Sequence, residues 1–228
     1  MPRRTLVPAL FFDFDNTLTS GDVLDRVIET FSPDEAWRDW EDAWEHGRLS
    51  ARECLRRQVE NLRVDRLALF DYLLQVRVDP AFPAIVDWAR ARRIEVSIVS
   101  DSFVPLIDHI LANNGVEGVR VYANDLVFSG DRLLPAFPYA DPACMRSANA
   151  KARHMQPYRR SRYLVFAGDG HSDLDAALAS DLIFAKSTLA MELTALHVDF
   201  CPFETLDPVF ARMRVEFSGA RAAYLRLA

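Results

Sequence analysis

Apolar side chains concentrate in three short runs along the chain: ALFFDFD from residue 9, IEVSIVS at 94–100 and RYLVFAGD at 162–169. Each is rich in β-branched and aromatic residues and lacks the polar alternation of a half-exposed strand. That pattern predicts strands buried on both faces, as in a parallel sheet. Segments with helical period separate the runs, so the connections read as βαβ units. The expected fold class is α/β, a Rossmann-like parallel sheet with helices on both faces. Each run also closes on acidic, small or hydroxyl residues. Open α/β sheets bind ligands beyond the carboxyl ends of their strands, which is where Asp13, Ser100 and Asp169 fall.

Between the first two runs, residues 20–78 carry no strand pattern and read as helix almost throughout. Ser32 before Pro33 and two acids predicts one helix start. Ser50 with Glu53 forms a capping-box pattern, and Asp65 and Asp79-Pro80 predict two further starts. Trp37, Trp40 and Trp44 share one helical face, either as the core of a small bundle or as the apolar wall of a pocket. The predicted organisation is therefore a core of residues 1–19 and 79–228 with a small all-helical insert at 20–78. From CPFETLDPVF onward the chain predicts a last strand end and an amphipathic helix packed on the core.

The 228 residues suffice for one large domain or a domain with an insert. A formal net charge of −6 offers no whole-chain attraction to nucleic acid. Cys54, Cys144 and Cys201 are odd in number, widely spaced and without a CxxC pair, which points to reduced thiols and away from a disulfide or zinc framework. Arg3 and Arg4 precede an apolar stretch, but Pro8 and Asp13 break it and no small-residue cleavage site follows. No segment approaches the roughly 18 apolar residues of a membrane span. A cytoplasmic protein is expected, with no membrane or nucleic-acid partner and an oligomeric state left open.

The strand ends raise a chemical question. Asp13 and Asp15 follow the first run, Ser100 and Asp101 the second, and Asp169 and Asp173 the third, while SANAKARHM places Lys151 on a helix. Carboxylates gathered at one site cannot all stay ionised without a cation. A set of oxygen ligands suits a hard divalent ion, and Mg²⁺, which binds through a few carboxylates plus phosphate, fits best.

On DFDNT, the serine of IVSDS, Lys151 and GDGHSD, the chain resembles the haloacid dehalogenase superfamily. The resemblance is to its phosphatase branch with a helical C1 cap after the first motif, and within it to the phosphoserine phosphatase group. It lies nearer still to the methionine-salvage phosphatases and the PHOSPHO-type phosphatases. The resemblance implies that Asp13 is the nucleophile and Asp15 the general acid and then base. It assigns phosphate binding to Ser100, Lys151, Asp101 and Thr17, with Thr17 also bonded within its own loop. It places Mg²⁺ on Asp13, Asp169 and the backbone carbonyl of Asp15, with Asp173 orienting these groups from behind. The implied activity is hydrolysis of a small phosphorylated metabolite through an aspartyl-phosphate. Transfer to an alcohol, or a silent binding protein on the same fold, are the alternatives.

Several positions depart from those relatives. Asp22 stands where phosphoserine phosphatases use a cap glutamate, and Gln58 where they use an arginine that grips the substrate carboxylate. Arg57 or Arg56 is the candidate replacement. Asp101 stands at a position that is usually glycine, either to touch substrate or to cap the next helix. Only Cys144 remains of the cysteines that methionine-salvage relatives carry before the motif lysine. His171, inside GDGHSD, is a further candidate contact for substrate.

Overall fold

The computed structural model describes residues 6–218. The expected core at residues 1–5, with Arg3 and Arg4, and at residues 219–228 lies outside the described residues. β1 (Val7–Phe12) is followed by α1 (Val23–Phe31), α2 (Ala36–Glu45), α3 (Ala51–Asn61), α4 (Arg66–Leu73) and α5 (Ala81–Arg90). Then come β2 (Glu95–Phe103), α6 (Val104–Asn113), β3 (Arg120–Ser129), β4 (Arg132–Ala136) and α7 (Lys151–Met155). The chain closes with β5 (Arg162–Gly168), α8 (Leu174–Leu178), β6 (Leu182–Ala185), α9 (Ser187–Ala195), β7 (Cys201–Pro202) and α10 (Leu206–Glu216).

The strands form one seven-stranded sheet in the order β4-β3-β2-β1-β5-β6-β7. All neighbours are parallel except β3 and β4. The three apolar runs are its central strands β2, β1 and β5. Successive side chains of β1 enter opposite cores: Leu10 and Phe12 meet Ile85, Ile107 and Val209 from α5, α6 and α10. Ala9 and Phe11 meet Met155, Ala177 and Leu189 from α7, α8 and α9. Burial on both faces explains the absence of polar alternation. Of the flanking strands, β7 falls where the last strand end was expected at CPFETLDPVF, whereas β3, β4 and β6 were not foreseen. β6 and β7 are short, and β3 and β4 alternate exposed with buried positions, because the β3–β4 hairpin sits at the sheet edge.

Chain direction along the sheet reverses at β1, since β2 and β3 build outward on one side before β5 returns to the other. A crevice opens at such a switch point, beyond the strand ends. The four helices α1–α4 leave and rejoin the sheet at adjacent points: Thr19 forms an antiparallel bridge with Val78, and Asp79 N donates to Leu18 O at 2.7 Å. Their apolar faces, including Val27, Ile28, Val59 and Leu69, belong to the same cluster as Phe12 and Ile107.

Two helix starts differ from expectation. Ser32 ends α1 instead of opening α2, its backbone N–H donating to Ile28 O at 3.0 Å. α2 begins only at Ala36, whose N–H donates to Asp34 Oδ1 at 3.1 Å, so the acid after Pro33 supplies the acceptor. At α3 half of the capping box forms: Glu53 N donates to Ser50 Oγ at 3.3 Å, while the Glu53 carboxylate pairs with Arg57. Asp65 caps α4 as expected, accepting from Ala68 N at 2.9 Å. Among the described residues no helix is long and apolar enough to cross a membrane.

Asp79 does more than open α5. Its Oδ1 accepts from Ala81 N and its Oδ2 from Leu206 N, both at 2.9 Å, joining the starts of α5 and α10. Asp79→Ala leaves both amides without that acceptor and is expected to lower stability by about 1–2 kcal/mol. A urea titration will read this as a lower midpoint at unchanged slope; an unchanged midpoint contradicts it.

Candidate active site

Asp13 continues β1 by one step, its N–H donating to Ala167 O of β5 at 2.9 Å. The ladder thus fixes where the side chain emerges. The chain then turns tightly: Asn16 adopts φ 51, and its N–H donates to Gly21 O at 3.1 Å. This turn brings Asp15 under the start of α1, where Val23 N donates to its Oδ1 at 3.0 Å. It also sends Asn16 and Thr17 across to β5. Asn16 Nδ2 donates to Asp169 Oδ2 at 2.6 Å and Thr17 Oγ1 to Asp169 Oδ1 at 3.1 Å. The Thr17 hydroxyl therefore reaches beyond its own loop and orients Asp169.

Lys151 is 3% exposed and Asp173 fully buried. Lys151 Nζ donates to Asp13 Oδ1 at 2.8 Å, to Asp173 Oδ1 at 2.6 Å and to Ser172 Oγ at 3.0 Å. Asp173 Oδ2 accepts from the N–H groups of Asp169 and Gly170, each at 3.0 Å. Gly168 has to lack a side chain here, because a Cβ would lie 2.6 Å from Asp173 Oδ2 and from the Phe166 ring.

At the third strand end the register between β2 and β3 shifts between Val99 and Phe103, and the irregularity contains Ser100 and Asp101. Ser100 is 1% exposed and its Oγ accepts from Ser102 N at 3.0 Å. Asp101 neither caps α6, which starts after Phe103, nor leaves its carboxylate free for a ligand. Its oxygens accept from Ser147 Oγ at 2.7 Å, Ala148 N at 2.8 Å and Asn149 N at 3.0 Å. Three donors on one segment make it the anchor of the loop that delivers Lys151. Asn149 completes that anchor, its Nδ2 donating to Ser100 O and Tyr122 O at 2.8 Å each.

Electrostatically, among the described residues, the strand-end part of the site has one cation, Lys151, for many acids. Asp13, Asp169 and Asp173 each bring an oxygen within 4.8 Å of the others. Burial, then the neighbouring Asp173, raise Asp13 well above the carboxylate range, with Lys151 working the other way. Burial and Asp173 likewise raise Asp169. Burial opposes the charge of Lys151, but Asp13, Asp173 and Asp101 outweigh it and hold the ammonium firmly protonated. Burial, then Asp22, raise Asp15. The excess of anionic oxygen over positive charge, and the oxygen-only donor set, fit a hard divalent ion.

These groups line one end of a cavity of about 180 Å³ whose other end is built by α1, α2 and α3. Asp22, Asp25, Glu41, Trp44, Gln58 and His171 all line it. Asp22 caps α1, accepting from Asp25 N at 2.9 Å. Gln58 Nε2 donates to Glu41 Oε2 at 2.7 Å. His171 Nδ1 sits on Glu192, and its ring meets the Trp44 indole edge-on at 6.0 Å between centroids. Of the three tryptophans, Trp44 is thus a pocket wall and Trp37 packs on the core, while α2 has no fully buried residue. Arg57 is not at the cavity: it pairs with Glu53 at 2.9 Å on the exposed side of α3, one turn along the same helix. Arg56 lies over the Phe137 ring, 5.7 Å from its centroid. Neither replaces the arginine that Gln58 lacks.

Sequence reasoning passed over Asn16, Asn149, Asp25 and Glu41. Asn16 stands inside DFDNT and was within reach as a polar neighbour of the motif. Asp25 and Glu41 sit three positions from Asp22 and Trp44, on the same helical faces, but no local signal aims them at one cavity.

A doubly wound sheet with its reactive carboxylates at the switch point defines an α/β enzyme of the open-sheet class. Residues 10–178 match the family model described as haloacid dehalogenase-like hydrolase, and the chain belongs to that family. The chain is similar to the 2-hydroxy-3-keto-5-methylthiopentenyl-1-phosphate phosphatase of Geobacillus kaustophilus, at 29% identity over 91% of this chain and 96% of that one. It is similar to the enzyme of the same name from Brevibacillus brevis, at 27% identity over 88% and 92%. A phosphoserine phosphatase solved as a phospho-aspartyl intermediate analogue shares the fold, with TM-score 0.69 at 18% identity, covering 93% of this chain and 99% of its own.

Gly168→Ala drives a methyl group into the Asp173 carboxylate, which three donors hold in place. The variant is expected to lose about 1–3 kcal/mol of stability through overpacking. Thermal denaturation will show it as a lower Tm, and an unshifted Tm would mean that Asp173 moves aside freely.

Proposed function

We propose that the chain hydrolyses small organic phosphate monoesters through an aspartyl-phosphate on Asp13. One observation carries this reading: a single buried ammonium, Lys151, bridges Asp13 and Asp173 at the strand-end crevice, beside Asp169. An anionic nucleophile can approach an anionic phosphoryl group only where positive charge offsets both.

Asp13 attacks phosphorus, forming the Asp13 O–P bond as the ester P–O bond breaks. The leaving alkoxide takes a proton from Asp15, whose buried carboxyl is held toward its protonated form. Asp15 then accepts a proton from water as that water attacks phosphorus, and the Asp13 O–P bond breaks to release inorganic phosphate. Lys151 and the Ser100 hydroxyl hold the phosphoryl oxygens. Thr17 and Asn16 orient Asp169, and Asp101 and Asn149 hold the Lys151 loop. Asp13, Asp169 and the Asp15 carbonyl would hold Mg²⁺, which supplies electrophilic stabilisation of phosphoryl charge.

Residues 20–78 act as a helical cap on a core of residues 1–19 and 79–228. The reading is supported by the paired ends at Thr19 and Val78 and by the cavity walls drawn from α1, α2 and α3. The substrate is a small phosphorylated metabolite, and the three unpaired cysteines suit the reducing cytoplasm.

Asp13→Asn is expected to lower kcat by roughly 10⁴-fold and to abolish ³²P incorporation into acid-quenched protein. Full activity in that variant removes Asp13 from the nucleophile role. Hydrolysis of p-nitrophenyl phosphate is expected to vanish in EDTA and to return with Mg²⁺. Activity indifferent to chelation contradicts the metal assignment.

A further inference from the structure

His154 is not among the residues lining the cavity, yet it is bonded to the frame that carries Ser100 and Lys151. The regular ladder between β2 and β3 breaks between Val99 and Phe103, where Ser100 and Asp101 lie. Two asparagine amides replace it. Asn124 Nδ2 donates to Asp101 O at 2.6 Å, and Asn149 Nδ2 donates to Ser100 O and to Tyr122 O, both at 2.8 Å. Asn149 thus joins β2 to β3 at the step that carries Ser100, and it stands two residues before Lys151.

That amide bridges two carbonyls only with its nitrogen turned toward them, which leaves Asn149 Oδ1 as an acceptor in a fully buried position. His154 Nε2 meets it at 2.7 Å. The bond therefore requires the imidazole proton on Nε2. Burial, which pushes His154 down to about 4, keeps the ring neutral, so its single N–H is spent there. The ring is itself fixed. It stacks on Tyr122 at 4.3 Å between centroids and 19° between planes, and Tyr139 meets it edge-on at 4.7 Å. The Tyr139 carbonyl in turn accepts from Ala150 N at 3.1 Å. A donor held on one face and one edge sets the plane of the amide it meets.

We propose that His154 is a positioning residue for phosphoryl transfer: through Asn149 it sets where Ser100 and Lys151 stand relative to Asp13. The inference rests on the phosphatase reading of the site, and it adds a residue that touches none of the reacting atoms. A small displacement of Ser100 or Lys151 weakens contact with the five-coordinate phosphoryl group more than with the ground-state ester. Loss of the His154 bond therefore acts on kcat and leaves KM nearly unchanged.

Two substitutions separate the bond from the packing. His154→Phe keeps a ring to stack on Tyr122 and removes the donor; His154→Gln removes the ring and returns an N–H at the reach of Nε2. Both are assayed with p-nitrophenyl phosphate in Mg²⁺, on protein shown to be folded by circular dichroism. His154→Phe is expected to lower kcat by roughly tenfold or more with KM within about twofold. His154→Gln is expected to keep kcat within about threefold of wild type. A purely structural role makes activity follow Tm instead. Full kcat in folded His154→Phe, or a greater loss in His154→Gln than in His154→Phe, overturns the proposal. Should His154→Phe not fold, His154→Leu repeats the measurement; failure of both to fold makes His154 a stability residue and overturns the proposal as well.

Orthovanadate, which takes up the five-coordinate geometry of a transferring phosphoryl group, reads the same positioning without turnover. In calorimetric titration with Mg²⁺ present, His154→Phe is expected to bind it about tenfold more weakly than wild type, and His154→Gln nearly as well. That pattern in protein that hydrolyses no ester upholds the positioning role and overturns the phosphatase reading. Equal vanadate binding and equal kcat in His154→Phe, with hydrolysis of p-nitrophenyl phosphate intact, overturn the positioning role and leave that reading standing.

Discussion

The Lys151 ammonium, withdrawn from water and shared between Asp13 and Asp173, ties the first strand, the turn after β5 and the start of α7 into one unit. Burying such a charge costs several kcal/mol unless partners surround it, and removing any partner strands the others. Every neighbouring feature serves that contact. Gly168 clears space for Asp173, two backbone amides orient its far oxygen, and Asp101 with Asn149 pins the loop that carries the lysine. Stability and chemistry meet in one network, because Asp13, one of the two acids that neutralise Lys151, is also the proposed phosphoryl acceptor.

That network is incomplete by design of its charges. Asp169 is held by two neutral donors, Asn16 and Thr17, which orient it without supplying positive charge. The carboxylates clustered and raised by burial at this end fit a hard divalent ion. One cavity thus has a largely anionic lining, with the Lys151 ammonium beside Asp13 and Asp173.

The sheet makes this arrangement possible through direction reversal at β1, which puts the ends of β1, β2 and β5 side by side. The helices between β1 and α5 share the apolar cluster of one sheet face, so the cavity walls they supply are braced by the main core. The cavity lining divides between elements: α1, α2 and α3 supply one wall, whereas strand ends and the start of α7 supply the clustered acids and the ammonium.

Much of this was legible in the chain alone. The three central strands announced themselves because burial on both faces removes polar alternation, and the reactive carboxylates stood at their ends because backbone direction carries them there. Helix starts at Ser50, Asp65 and Asp79 were readable because capping is a contact across two or three residues. The start assigned to Ser32 failed because Asp34, two residues nearer, offered the better acceptor. Beyond that range the sequence was silent. That Asp101 spends its carboxylate on residues 147–149, that Arg57 turns outward to Glu53, and that Asp25 and Glu41 face one cavity depend on how distant elements pack. Local periodicity sets which face of a helix is apolar; only the shared core sets which polar edges of two helices then meet.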